Sequence, residues 1–271
     1  MSTPPQQARK KERFPEIKTR PDRPLRFNKV IGIAIALIAV GLLWALAARA
    51  VNKPFLPHPL AAFTSLIRLG KTGVLEKHLS ASLHRLCWAL ITGFFPAALL
   101  GFAAGRSKRL NAVISPFVYI MHPLPKVAFL PLIMLFLGLG NASKIFLLAF
   151  TIFSQVLLAV RDAAGRVSEN CVTAVRSMGA HRAAIFIHVI LPASLPDLCT
   201  ALRVCLGTAI AVLFLAETFA AETGLGYLIV DAWTRVAYAD MFAGILAMSM
   251  LGLVLFALVD LLERLLCPWE T

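Results

Sequence analysis

Apolar residues fall into six long runs, separated by short polar or basic stretches. A helix that crosses a bilayer needs about 17 to 25 mostly apolar residues. The runs at about 30–48, 83–104, 110–137, 143–160, 195–219 and 241–262 meet that length. No period-two alternation of the kind a membrane β-barrel shows runs through them. The pattern predicts an all-α polytopic membrane protein with six transmembrane helices and no separate soluble domain. Leu60 to Leu69 has apolar residues at helical spacing and is expected to form a short helix at the membrane surface.

The third run is unlike the others because Pro116, Pro123, Pro125 and Pro131 all fall inside it. Each proline removes a backbone donor and clashes with the preceding turn. A helix broken this way is tolerated at membrane depth only where it is buried in protein or lines a cavity. Lys126 lies in the same run, and Glu217 near the outer end of the fifth. Ionisable residues at such positions are functional candidates by default. Two readings stand for each. Lys126 either attracts an anion in transit or caps a broken helix end. Glu217 either pairs with a cation or holds the outer gate, or else serves the structure alone. Arg203, a turn or two into the fifth run, marks an interface.

The stretch 161–194, between the fourth and fifth runs, is too polar to span. It carries Arg161, Arg166, Arg176 and Arg182, is broken at Gly179, and ends in Leu191-Pro192. It is expected to form a short helical segment that touches a partner in the aqueous phase and passes force to the helices on either side. Gly179 permits a sharp turn without a Cβ penalty. Pro192 is expected to begin the next helix.

A formal net charge of +13 over 271 residues would suit a nucleic-acid binder, but its distribution argues against one. The charge gathers in the N-terminal tail and in short loops, as the positive-inside rule predicts. That rule puts both termini and 161–194 in the cytoplasm. Residues 1–29 hold nine lysines and arginines and five prolines, and are expected to be a disordered basic tail. Residues 30–271 then form the membrane domain. Six cations between Arg49 and Arg85 run against the rule on the opposite side. Ala45-Leu46-Ala47 and Ala48-Arg49-Ala50 resemble signal-peptidase sites, yet the first run is too long for a signal sequence and reads as an uncleaved anchor. The five cysteines form no paired motif and read as small apolar fillers. There is no GxxxxGK[ST] and no HExxH, and the histidines lack metal-ligand spacing. No catalytic residue, metal site or cofactor is expected on this chain.

Thr173-Ala174-Val175-Arg176-Ser177-Met178-Gly179, nine residues, then Val189-Ile190-Leu191-Pro192 resembles the EAA loop of binding-protein-dependent ABC importer permeases. That loop reads E-A-A, three residues, Gly, nine residues, I-x-L-P. Ala174, Gly179, Leu191 and Pro192 match in register. The family Glu is Thr173 here, and the second Ala is Val175. Glu169, one helical turn earlier, is a possible substitute. The resemblance runs from about Leu56 to the C-terminus. Leu56-Pro57-x-Pro59, His78-Leu79-x-x-Ser82-Leu83-x-Arg85, Pro125-Lys126-x-Ala128-x-x-Pro131-Leu132, Phe136-x-Gly138-x-Gly140-x-x-Ser143-Lys144 and Glu217 ahead of Gly224-Leu225-Gly226-Tyr227 look most like the nitrate/sulfonate/taurine/bicarbonate branch.

The resemblance implies a type I ABC importer permease in a bacterial inner membrane. It implies a coupling role for Thr173 to Gly179 with Leu191 and Pro192. It implies a homodimer, two copies of a cytoplasmic ATPase subunit that carries ATP and Mg²⁺, and an external solute-binding protein. The path is expected between the third and fifth spans, with Lys126, Pro131 and Glu217 as candidates along it. The substrate is expected to be a small anion such as nitrate, taurine or another alkanesulfonate, or bicarbonate. A neutral vitamin precursor is the alternative within the same importer type. A stand-alone secondary transporter would show an inverted repeat. An intramembrane enzyme of lipid metabolism would cluster Asp, His or Ser at a membrane face.

Overall fold

A computed structural model describes residues 29–270, and every regular element among them is helical. The expected disordered tail lies outside the described residues, except Lys29, which opens the first helix. In chain order the helices are α1 (Lys29–Val51), α2 (Pro59–Lys71), α3 (Val74–Arg106), α4 (Lys108–Met121), α5 (Leu130–Leu137), α6 (Asn141–Arg166), α7 (Glu169–Ser177), α8 (Arg182–Thr218), α9 (Leu225–Thr234) and α10 (Tyr238–Leu266). Five are long and apolar enough to cross a membrane, and a sixth span results if the bent pair α4 and α5 counts as one.

α3 and α6 form the centre of the bundle. Gly93, Ala97, Gly101 and Gly105 recur every fourth residue and so share one face of α3. A Cβ on Gly93 would lie 2.6 Å from the Ala149 carbonyl oxygen, and one on Gly105 2.5 Å from that of Arg161. Lipid tails are as apolar as leucine, so burial in lipid does not drive helices together; close backbone approach and dense packing do. Leu147, Leu148, Ile152, Val156 and Val160 of α6 are fully buried behind this contact. α1, by contrast, is exposed along most of its length. It is pinned by Trp44, whose Nε1 donates to the Pro57 carbonyl at 3.1 Å and whose ring stacks on Phe242 at 5.3 Å. α2 lies across the start of α10, where Ser65 and Arg68 both bond Asp240.

The helices are longer than the apolar runs. α3 begins at Val74, nine residues before the run at Leu83, because His78 and Ser82 point into the bundle and not to solvent. α6 reaches Arg166, and the segment after Glu222 contains the helix α9. The largest correction concerns Pro192. It stands in the first turn of the regular stretch Leu191–Thr218, as expected, but the helix does not begin afresh there, because α8 already starts at Arg182 and runs through it. A proline inside an α-helix removes a donor and crowds the carbonyl four residues back. Here the backbone widens just before it into a π turn at Phe186–Ile190, with Leu191 N donating to the Phe186 carbonyl. Such turns relieve a local conflict in the helical ladder.

Candidate functional site

α7 is a nine-residue helix hung between two spanning helices. Ser168 caps it, its Oγ accepting from Asn170 N at 3.3 Å. One side packs inward through Val172, which is 1% exposed, and through the partly buried Val175. Thr173, Ala174, Arg176, Ser177 and Met178 lie on the outer side. Met178, 84% exposed, forms the tip. The chain reverses at Gly179, whose φ of +86° suits a residue without a Cβ. Gly179 N donates to the Arg176 carbonyl at 3.0 Å and Ala180 N to that of Val175 at 3.4 Å, which closes the helix end. Glu169 is also exposed, at 75%, and its Oε1 accepts from Arg106 Nη2 at 2.8 Å, which ties α7 to the end of α3. Leu191 and Pro192 are half-buried, just past the π turn.

The expected broken span is broken. α4 and α5 meet at 82° across a short turn, Lys126–Phe129 being a 3₁₀ helix. Pro123 and Pro125 sit in the break, while Pro131 occupies the first turn of α5, where no intrahelical donor is lost. Lys126 is 8% exposed and donates through Nζ to the His122 carbonyl at 3.3 Å, as a cap on the open end of α4. His122 itself is exposed and lines two cavities. One, of about 630 Å³, is also walled by Ser115, Tyr119 and Arg161. The other, of about 570 Å³, reaches Gln155, Thr200 and the Arg166–Asp197 pair, which stands at 3.5 Å. Gln155 Oε1 is buried there without a hydrogen-bond partner.

Opposite α7, at the far end of the bundle, lies a dense polar cluster. Glu217 is fully buried; its Oε1 accepts from Arg85 Nη1 at 2.6 Å and from Ser82 Oγ at 2.8 Å, and its Oε2 from Gly226 N at 2.9 Å. Ser82 Oγ accepts from Leu225 N at 2.8 Å. Arg85 also donates to Asn141 Oδ1 at 2.8 Å and to the Thr223 carbonyl at 2.7 Å. Lys144, 1% exposed, donates to the carbonyls of Leu139 at 2.7 Å and Ala220 at 3.2 Å. Gly224, at φ +123°, passes so close that a Cβ would run into the Glu217 carboxyl. Charges at membrane depth are costly unless paired and hydrogen-bonded, and here they are both. Of the pathway residues expected from sequence, Lys126 and Pro131 therefore lie at the break, and Glu217 is enclosed among residues of its own chain. Arg85 and Lys144, which the sequence offers as parts of the branch motifs and not as pathway candidates, belong to the same cluster. Arg85 looked like one of the stray outer cations, and its intramembrane partner Glu217 was the available clue.

Residues 97–268 match the model described as binding-protein-dependent transport system inner membrane component. The taurine transport system permease protein TauC of Escherichia coli is 31% identical over 91% of this chain and 92% of its own length. SsuC of Bacillus subtilis, named for aliphatic sulfonates transport, is 30% identical over 81% of this chain and 80% of its own. ThiX of Halalkalibacterium halodurans, named as a formylaminopyrimidine transport permease, is 25% identical over 84% of this chain and 92% of its own. A structure of the MetNI methionine ABC transporter, described as inward facing, shares the fold at a TM-score of 0.56 and 20% identity, covering 69% of this chain and 91% of that one. A multi-pass helical chain matched over this span belongs to the binding-protein-dependent transport system inner membrane component family, and is a permease of an ABC transporter in the inner membrane.

Proposed function

We propose that this permease imports a small organosulfonate anion of the taurine type. It works as one half of a homodimer bearing two ATPase subunits, which hold ATP and Mg²⁺, and receives substrate from a solute-binding protein. In this reading both termini and α7 face the cytoplasm, in line with the basic residues around 161–182. The observation that carries it is α7 itself. Its outer face holds Thr173, Ala174, Arg176 and Ser177, with Met178 and Gly179 at its tip, in the family register, and it is joined through short links to two spanning helices, α6 and α8. An element tied to both can turn closure of the ATPases into tilting of the helices. The path runs beside the break between α4 and α5, where His122, Gln155 and Thr200 face a cavity.

The sulfonate follows from two of the relatives, named for taurine and for aliphatic sulfonates. The relative named for formylaminopyrimidine keeps a neutral ring substrate as the second reading. The test is uptake in proteoliposomes holding the permease, its ATPase and its binding protein. Taurine is expected to enter in an ATP-dependent way and to be competed by ethanesulfonate but not by a neutral aminopyrimidine. Competition by the aminopyrimidine alone overturns the sulfonate. Uptake without ATP overturns the coupled mechanism. A purified complex with a single copy of this chain overturns the homodimer.

A further inference from the structure

A cavity of about 610 Å³ opens beside α7, between the end of α3 and the first turns of α8. Its polar rim is three arginines, Arg106, Arg176 and Arg182; its apolar wall includes Leu99, Phe102 and Phe186. Phe102 and Phe186 meet edge to face at 5.2 Å and make a firm floor. Arg106 is engaged by Glu169. Among the described residues, Arg176 and Arg182 have no ion-pair or hydrogen-bond partner. The rim thus has three positive charges against one negative charge, and two of the three guanidinium groups are unspent.

The wall continues along α3. Leu99 is 72% exposed and Phe95 65%, on a helix that crosses the membrane. In a single copy of the chain these side chains are uncovered, and lipid tails are as apolar as they are. At their end, where helix meets water, stand the arginines. An apolar wall leading up to unpaired guanidinium groups is the shape of a phospholipid, with tails below and phosphate above. Guanidinium forks bind phosphate in two-point fashion. Basic pockets between membrane helices on the cytoplasmic side hold anionic headgroups.

We propose that this cavity binds the headgroup of an anionic phospholipid, with Arg176 and Arg182 on the phosphate and a tail along Leu99. Because Arg176 is part of α7 and Arg182 opens α8, a lipid held here braces the hinge at Gly179 from the membrane side. The exposed tip at Met178 stays free for a protein partner. A protein contact at these arginines is the competing outcome.

The test uses the full chain in complex with its ATPase, extracted in mild detergent and examined by native mass spectrometry for retained phosphatidylglycerol against phosphatidylcholine. Arg176→Gln with Arg182→Gln is expected to lower phosphatidylglycerol retention about 25-fold, taking about fivefold for each arginine at a charged lipid surface. Leu99→Gln, at an exposed wall position where misfolding is not expected, should lower retention too. Arg264→Gln, a cation elsewhere on the chain, should not. Inorganic phosphate at millimolar concentration should fail to displace the lipid. Three results overturn the proposal: unchanged retention in the double variant, full displacement by phosphate, or loss of the ATPase subunit from the double variant with the lipid still bound.

Discussion

The two ends of α8 are built in opposite ways. At one end Glu217 is locked by an arginine, a serine and a backbone amide, with no side-chain exposure. At the other, α7 and Gly179 offer an exposed tip that is held by Val172 and Val175 on its inner side and by the solvent-exposed Glu169–Arg106 pair. The first end fixes where α3, α6 and α8 stand relative to one another. The second leaves a handle that a partner moves. A transporter that must convert an external push into tilting needs both, since a helix that is loose at each end transmits nothing.

The comparison breaks most severely at Glu217. Glu217→Ala leaves Arg85 buried without its partner, a change worth about 3 to 5 kcal/mol for such pairs. The expected outcome is a large fall in the melting midpoint or loss of the folded protein. Glu217→Leu combined with Arg85→Met should recover much of it, because a well-packed apolar pair of similar volume replaces the ions. If the double variant is as unstable as the single, the cluster matters through its hydrogen bonds to α9 and not through the ion pair.

At the handle the expected loss is of function and not of fold. Gly179→Pro cannot adopt φ +86° and loses the donor to Arg176. Substrate-stimulated ATPase activity of the reconstituted complex should vanish while the melting midpoint stays close to that of the parent. A parent-like ATPase response would show that α7 does not couple.

Lys126 sharpens the comparison at the middle of the molecule. Lys126→Met removes one hydrogen bond from a charged donor, worth about 1.5 to 3 kcal/mol. If Lys126 only caps α4, stability falls and taurine uptake by the remaining folded complex matches the parent. If uptake falls at unchanged binding-protein affinity while stability holds, its charge serves the anion.

Arg203 should matter least. It reaches Asp260 and Glu263 of α10 at 2.6 Å each, with its own side chain 32% exposed and Asp260 54%. Partly solvated pairs of this kind contribute about 1 kcal/mol or less, and salt screens them. Arg203→Ala is expected to shift the melting midpoint slightly, and less still in high salt.

The six apolar runs were legible because lipid demands them. The break in the third was legible for a related reason, since four prolines cannot share one straight helix. The exposed face of α7 was read from the spacing of Gly179 to Pro192. What stayed hidden lay where polarity and burial part company. His78 and Ser82 precede the second apolar run, yet they lengthen α3 inward, His78 to meet Gly224 and Ser82 to meet Glu217, which Arg85 also reaches. Lys144 opens the fourth apolar run as a lone cation and is among the most buried side chains of the bundle. A polar residue reports its partner only once the fold has brought that partner to it. Arg85 and Glu217 are 132 positions apart. The start of α8 was hidden by the same logic in reverse. Arg182 and the basic residues near it read as loop, although they open a continuous helix.

The π turn at Phe186–Ile190 adds one residue to a single turn of α8. Each residue of an α-helix turns the chain by about 100°, so the insertion rotates everything after it by that angle relative to what precedes it. The direction in which α7 projects and the direction in which Glu217 points are therefore set in phase by this one residue. Deleting one residue between Phe186 and Ile190 would turn the π turn into an α turn and keep the two in line, whereas deleting one from the regular helix after Leu191 would swing Glu217 by about 100°. A helical wheel drawn without interruption from Arg182 to Thr218 assigns the wrong face to one half of α8.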